Sequence, residues 1–293
     1  MRDDLVIYDS KDGIATITIN RPEKYNAFRN QTAEELITAF NLAGWNPDIG
    51  VVVLTGVGDK AFCTGGDQSA ESHEGGYGGR GTTGMPVEEL HTIIRDIPKP
   101  VIARVNGYAI GGGHVFHVLC DLTIASENAI FGQVGPAMGS VDPGFGTAYL
   151  ARLVGEKKAR EIWYMCRRYS VQEALEMGLV NAVVPFDKLD GEVDAWCQEI
   201  MAKSPTALAI AKRKGAGKLR HINVSALWIQ DIQDREGAEY TKILGTENPA
   251  DLMTKYLTRE KIEKAMDTMS QELRQGRAEK GLDIQGASKK KTE

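Results

Sequence analysis

The chain has 293 residues, which is enough for one large domain or two smaller ones with a substantial core. Hydrophobic residues make up 42% of it, charged residues 26%, and the formal net charge is −5, as in an ordinary globular protein. This mild acidity argues against a nucleic acid as the main partner, because nucleic-acid-binding proteins present a basic face.

Membrane insertion and secretion are also disfavoured. No apolar run approaches the roughly 20 residues of a membrane-spanning helix, and the N-terminal segment Met1-Arg2-Asp3-Asp4 is too acidic for a secretion signal. The four cysteines form no Cys-x-x-Cys pair and are interpreted as reduced structural thiols: Cys63, Cys120, Cys166 and Cys197. Reduced thiols are typical of a cytoplasmic protein, which is the location we expect.

The first part of the chain predicts a hairpin and a crossover. Residues 5–8 and 14–19 are β-rich runs, separated by the turn signal Asp9-Ser10-Lys11-Asp12-Gly13. Apolar residues at helical spacing predict a helix over 32–43. The continuous apolar run 51–54 predicts a strand that is covered on both faces. Strand, helix and strand in this order indicate a right-handed crossover unit.

The remaining elements alternate in the same way. Residues 69–84 are rich in Gly, Ser and Glu without a period, which is typical of a loop. Ser170 is a predicted helix N-cap. Further strands and helices are predicted by apolar runs and by helical spacing, respectively: strands at 101–105 and 180–185, and helices at 87–97, 148–168, 171–177 and 189–202.

Two glycine-rich turns are the candidate ligand-binding segments. They are residues 63–68, Cys-Thr-Gly-Gly-Asp-Gln, and residues 107–114, Gly-Tyr-Ala-Ile-Gly-Gly-Gly-His. Each follows a short apolar or β-branched run and precedes residues that can open a helix, so backbone N–H groups are expected to point at a ligand. Glycine also lets a ligand approach the main chain closely. Two such turns can bind one oxyanion between them.

With these turns, several segments resemble the crotonase superfamily, the enoyl-CoA hydratase/isomerase proteins. The matching segments come in the expected order within residues 5–213: 62–68, 111–114, 120–124 and 155–163. They are most similar to the branch of 1,4-dihydroxy-2-naphthoyl-CoA synthase and 2-ketocyclohexanecarboxyl-CoA hydrolase. The resemblance implies an α/β fold, a crotonase-like spiral of ββα units, here with a divergent helical C-terminal tail.

The resemblance also implies a site for a CoA thioester, which is a substrate and not a permanently bound cofactor. It assigns the two amides of the oxyanion hole to Gly66 and Gly112, and the acyl pocket to Tyr108, Gln133 and Gly135. The residues implied in CoA binding lie in two loops: Lys24, Ala27, Thr64, Gly65, Asp67 and Gln68. A plain loop before a helix accounts equally well for the segment that holds Lys24 and Ala27.

Departures from the hydratase pattern limit the reactions that the site can catalyse. The resemblance places two hydratase glutamates where this chain has Val115 and Gly135, and neither residue can move a proton. The branch-specific carboxylate is Asp142, with Ser140 two residues before it. An acid in an acyl pocket suits proton transfer to or from carbon or water. The alternative is that Asp142 is a turn residue ahead of Pro143-Gly144.

Two reactions fit such a site, and they are nearly reverses of each other. One is ring-opening hydrolysis of a cyclic β-keto acyl-CoA, and the other is the ring closure of the synthase. The hydrolase is favoured because four segments resemble it more closely: 67–69, 79–82, 102–105 and 140–144. A third possibility is a CoA-thioester-binding fusion protein with impaired catalysis.

Histidines give no metal site in this interpretation. His114, His117 and Cys120 are spaced by three along a predicted helix, where i and i+6 point in different directions and cannot converge. His91 is interpreted as an ordinary surface or half-buried helix residue.

The C-terminal part does not resemble the crotonase superfamily. From about Lys214 the chain instead resembles the end of a copia-type retrotransposon polyprotein, so we predict an acyl-CoA domain over 1–213 and a divergent tail over 214–293, partly helical with a disordered end. Relatives in the branch use a tyrosine from C-terminal helices, and Tyr240 and Tyr256 cannot be matched to it. The resemblance implies a homotrimer or hexamer if the tail permits it.

Overall fold

In the computed structural model, residues 5–69, 81, 83–140 and 142–215 are described. The predicted tail from residue 216 onward, including Tyr240 and Tyr256, lies outside this range, as does most of the predicted loop after Ser69. No helix within the described ranges combines the length and the apolar character needed to cross a membrane.

The chain begins with the predicted hairpin. Strand β1 (Val6–Lys11) pairs antiparallel with β2 (Ile14–Ile19). The turn is confined to Asp12 and Gly13, whose φ angles are +50° and +82°, so β1 runs three residues beyond the predicted strand. Side chains of β2 alternate between half-buried and fully buried, which is the period of a strand that lines a core.

Helix α1 (Asn30–Trp45) carries the chain from β2 to the parallel strand β3 (Val51–Gly56). Every residue of β3 is buried, as predicted from its unbroken apolar run. The buried face of α1 packs on this sheet through Leu36, Phe40 and Ala43.

Three consecutive ββα units follow, and they form the predicted spiral. Their bounds are β3, β4 (Ala61–Cys63) and α2 (Val87–Asp96); β5 (Val101–Val105), β6 (Tyr108–Ile110) and α3 (Gly112–Leu119); and β7 (Leu122–Ser126), β8 (Ile130–Gly132) and α4 (Gly146–Val154). The first strands of the units are parallel neighbours in a six-stranded sheet of order β1-β2-β3-β5-β7-β10, in which β10 is Ala182–Val184. The second strands are parallel neighbours in a four-stranded sheet, β4-β6-β8-β9, in which β9 is Tyr169–Ser170.

The remaining elements complete both sheets. They are α5 (Glu156–Met165), β9 (Tyr169–Ser170), α6 (Val171–Glu176), β10 (Ala182–Val184), α7 (Leu189–Met201) and α8 (Pro205–Gly215). The helical stretch predicted over 148–168 is divided into α4 and α5 at Gly155, which takes a φ of +78°. Ser170 caps α6 as predicted, in a reciprocal capping box with Glu173.

The core lies on both faces of the six-stranded sheet. A large apolar cluster fills the space between the sheets and the helices of the ββα units, and a smaller cluster packs Leu189, Val193 and Cys197 of α7 against the opposite face. All four cysteines are free, and three of them are buried. Because the units repeat, the loops after β4, β6 and β8 gather at one end of the four-stranded sheet, where the site lies.

Candidate active site

A cavity of about 520 Å³ opens where the two glycine turns meet. The first ββα unit contributes Gly66, the second Gly112 and Val115, and the third Gln133 and Asp142. The other predicted site residues on its wall are Thr64, Gly65, Gln68, Tyr108, Gly135 and Ser140. Residues that are far apart in the sequence therefore meet around one space.

The first turn is held by the segment before α1. Phe28 forms a parallel bridge with Gly66: the Phe28 N–H donates to the Gly65 carbonyl (2.8 Å), and the Asp67 N–H donates to the Phe28 carbonyl (2.9 Å). Successive N–H groups of extended backbone point in opposite directions. The Gly66 N–H therefore points away from Phe28, on the side of the cavity that Gly66 lines.

The second turn ends in the first residues of α3. Gly111 takes a φ of +57°, and Gly112 is the first helical residue, so its N–H has no acceptor within the helix. The turns touch each other, since a Cβ on Gly65 would lie 3.1 Å from the Gly112 nitrogen. A Cβ on Gly112 would lie 2.7 Å from the Phe28 ring. Phe28 therefore contacts both turns.

Asp142 lies on the same cavity with only 7% of its side chain exposed. Its Oδ2 accepts the Gly146 N–H (2.7 Å), and its Oδ1 accepts the Gly144 N–H (3.2 Å). The residue thus caps the start of α4 and closes a turn, as in the alternative interpretation from the sequence. The same geometry leaves it on the wall of the cavity, so the capping role and a chemical role are compatible. The Ser140 N–H donates to the Gly135 carbonyl (2.9 Å).

The interpretation of His91 as a surface or half-buried residue was wrong. Its side chain is 1% exposed, lines the cavity, and lies with Nδ1 4.0 Å from Oδ1 of Asp142. Burial lowers the pKa of His91 to about 4, although the charges of Asp142 and Glu88 act in the opposite direction. Its place on the buried face of α2, beside Leu90 and Ile94, was the signal available in the sequence.

Comparison with known proteins identifies the family. The family model described as enoyl-CoA hydratase/isomerase matches residues 9–231. The chain belongs to the enoyl-CoA hydratase/isomerase family.

Solved structures from this family have the same fold. An enoyl-CoA hydratase from Bacillus anthracis is 30% identical, with a TM-score of 0.65 over 81% of this chain and 92% of that one. An enoyl-CoA hydratase/carnithine racemase from Magnetospirillum magneticum is 28% identical, with a TM-score of 0.69 over 80% and 88%. A protein from Pseudomonas aeruginosa is 27% identical, with a TM-score of 0.67 over 79% and 99%.

The wall of this cavity is poor in acids. Val115 is 1% exposed, and both it and Gly135 lie on the wall, at the two positions where the resemblance implies hydratase glutamates. Among the described residues of the wall, Asp142 is the only carboxylate. Trp163 and Arg168, which sequence reasoning did not assign to the site, also line it.

The predicted CoA contacts divide into two groups. Thr64, Gly65 and Gln68 line the cavity, whereas Lys24, Ala27 and Asp67 do not. Asp67 instead forms a buried ion pair with Arg21 (2.8 Å), whose Nη1 also donates to the Ala27 carbonyl (2.5 Å). Burial raises the pKa of Asp67, but hydrogen bonds from Ser69 and Arg21 outweigh it, so the pKa is lowered. Asp67 is thus tied to the segment before α1, and its predicted contact with CoA stays a prediction.

Gln133, a predicted residue of the acyl pocket, contacts a second buried histidine. Gln133 is buried, and its Nε2 lies 3.3 Å from Nδ1 of His114. The rings of His114 and His117 lie 4.8 Å apart. Among the described residues, no three His, Cys, Asp or Glu side chains are grouped as a metal site would require. Burial lowers the pKa of His114 to about 3 and that of His117 well below its usual value.

These buried neutral histidines predict acid sensitivity. Unfolded histidines titrate near pH 6.5, so below that pH the unfolded state binds protons that folded His114 and His117 do not. The free energy of unfolding should therefore fall from about pH 6.5 downward, by up to about 1.4 kcal/mol per pH unit for each histidine. Urea unfolding at pH 7.5, 6.0 and 5.0 measures this free energy. In His117→Asn, the pH dependence of the free energy of unfolding should lose the contribution of one histidine. An unchanged pH dependence would contradict the prediction.

Proposed function

We propose that the protein is an acyl-CoA enzyme that stabilises a thioester enolate during ring-opening hydrolysis of a cyclic β-keto acyl-CoA of the 2-ketocyclohexanecarboxyl-CoA type. The observation that carries the proposal is the position of Asp142: the only carboxylate among the described wall residues shares a cavity with Gly66 and Gly112. Enzymes of this family process acyl-CoA thioesters.

The oxyanion hole is proposed at the two turns. Enolate formation moves negative charge onto the thioester oxygen, and donors aimed at that position stabilise it more than they stabilise the ground state. Gly66 and Gly112 supply two such donors from turns that touch each other. The Gly112 N–H also lies at the positive end of the α3 dipole. Removal of one such donor typically costs about 3 to 4 kcal/mol of transition-state stabilisation.

Asp142 is the proposed proton carrier. Its carboxylate takes a proton from water, and the resulting hydroxide adds to the ring ketone. The bond between that carbon and Cα then breaks, and its electron pair stays on Cα as the enolate held by the two amides. Asp142 returns the proton to Cα. One water is consumed: its oxygen enters the new carboxyl group, and the product is an open-chain CoA thioester with a terminal acid.

Apolar residues at the two hydratase positions support this choice over enoyl hydration. Hydration by two acids requires a second carboxylate, and Val115 and Gly135 occupy the wall there. Ring closure by the synthase uses the same amides, so it remains the alternative activity. A binding protein for CoA thioesters without turnover is the third alternative, and the assembly into trimers or hexamers remains a prediction.

Turnover of two substrates tests the proposal. Purified full-length protein mixed with 2-ketocyclohexanecarboxyl-CoA should release pimeloyl-CoA, and it should leave succinylbenzoyl-CoA unchanged. Both products are followed by chromatography of the CoA thioesters. Cyclisation of succinylbenzoyl-CoA would instead establish the synthase activity. Calorimetric binding of both thioesters without turnover of either would refute both enzyme alternatives.

A further inference from the structure

We propose that His91 is a positioning residue, which holds the loop of residues 142–146 in the conformation that presents Asp142 to the cavity. This inference rests on the proposed function, because Asp142 is the proton carrier there. It names a residue of helix α2, which packs beside the site and precedes Asp142 by 51 residues in the sequence.

The first observation is the hydrogen bonding of the loop. Three consecutive backbone N–H groups are accepted by two side chains: Gly144 and Gly146 by Asp142, and Phe145 by Nδ1 of His91 (3.2 Å). His91 thus bonds the middle of the loop while Asp142 bonds both sides of it. Without the histidine acceptor, the N–H of Phe145 would lose its partner in a partly buried place, which costs free energy.

The second observation is the close packing of the ring against this backbone. A Cβ on Gly144 would lie only 1.9 Å from Nδ1 of His91, so only glycine admits the ring at this distance. Phe116 lies edge-on to the same ring, with centroids 6.0 Å apart and planes at 86°. Phe145 lies 6.4 Å away on the loop side. The imidazole is therefore packed between Phe116 and the backbone of the loop.

The third observation separates this role from proton transfer by His91 itself. Nδ1 lies 4.0 Å from Oδ1 of Asp142, which is beyond hydrogen-bond distance. Because Nδ1 accepts an N–H, the ring proton is on Nε2, and Nε2 has no partner among the described residues. The two side chains are therefore neighbours that share a loop, and they do not share a proton.

The charge state of the ring matters to the same bond. Protonated imidazole donates from both nitrogens and cannot accept from Phe145. The charged groups near the ring are Glu88 on its own helix and Asp142 on the loop, and both oppose the burial that lowers its pKa to about 4. The ring is therefore neutral at pH 6 to 8, and the loop keeps its acceptor throughout that range.

Two variants of the full chain test the role. His91→Asn places an amide oxygen near the position of Nδ1, whereas His91→Leu keeps apolar bulk and removes the acceptor. For the substrate that the wild type converts, His91→Leu should lower kcat by about 10- to 100-fold, because displacement of a reacting group by about 1 Å costs up to that much. Its KM should change little. His91→Asn should recover most of the loss in kcat.

Hydrogen exchange at the amides of Gly144, Phe145 and Gly146 provides a readout that does not need turnover. Exchange should accelerate at least tenfold in His91→Leu and return toward the wild-type rate in His91→Asn. Wild-type protein that converts neither substrate would refute the proposed function alone, and the exchange rates would still decide the role of His91. Unchanged exchange in His91→Leu, or an equal loss of kcat in both variants, would overturn the inference.

Discussion

Asp142→Asn is expected to lower kcat for 2-ketocyclohexanecarboxyl-CoA by about 10²- to 10⁴-fold, the range typical of a lost general acid–base group. The amide cannot take a proton from water or return one to carbon. Its single oxygen still accepts one of the two loop N–H groups, from Gly144 or Gly146, that the carboxylate binds. The geometry of the site should therefore change less than its chemistry. Steady-state kinetics and a thermal melt of the same preparation measure both effects.

The control separates helix capping from catalysis. Ser170 caps α6 and does not line the cavity, and Ser170→Ala should cost about 1 kcal/mol of stability, as loss of an N-cap does. Its kcat should stay within about twofold of the wild type, because a surface change of this kind leaves the site intact. If Asp142→Asn retained wild-type turnover with a similar loss of stability, Asp142 would be a capping residue only.

Gly113→Ala is expected to destabilise the protein by about 1 to 3 kcal/mol or more, the usual cost of overpacking. The new Cβ would lie 1.9 Å from the Cys63 carbonyl oxygen and 2.5 Å from its carbon. These are backbone atoms of β4, so α3 and the first glycine turn must separate. The gain of up to about 1 kcal/mol from alanine in a helix does not offset this. Urea unfolding measures stability, and turnover should fall as the amides move apart.

Gly191→Ala is the matched control. Gly191 is an exposed helical glycine of α7, and nothing lies within 4 Å of the Cβ position. The same substitution should therefore stabilise the protein by up to about 1 kcal/mol through helix propensity. Equal effects of the two substitutions would show that the contact at Cys63 does not limit the packing of α3.

Elements with a strong pattern could be predicted from the sequence. The alternation in β2, the unbroken apolar run of β3 and the helical spacing of α1 each record a local burial pattern. The four-stranded sheet was harder, because β4, β6 and β8 have three residues each and β9 has two. Strands that short carry no measurable period. Their pairing depends on the repetition of the ββα unit, which the resemblance supplied.

The glycine turns of the candidate site could be recognised from the sequence, whereas the side-chain contacts around them could not. Both glycine turns and Asp142, which the resemblance assigned to one site, line the same cavity. The ion pair of Asp67 with Arg21 could not be predicted, because a motif does not show which way a carboxylate turns. The spacing of His91 with Leu90 and Ile94 indicates its burial, but its contact with Phe145, 54 residues away along the chain, has no signal in the local sequence of α2.

Phe28 gives the two amides a common support. Its backbone bridges Gly66, its ring lies against Gly112, and the segment before it is tied down by Arg21 and by the buried side chain of Asn26. The separation of the donors is thus determined by a loop that precedes the first crossover helix. Selection or engineering can therefore retune the rate by changes in that loop, while every side chain that faces the acyl group remains the same.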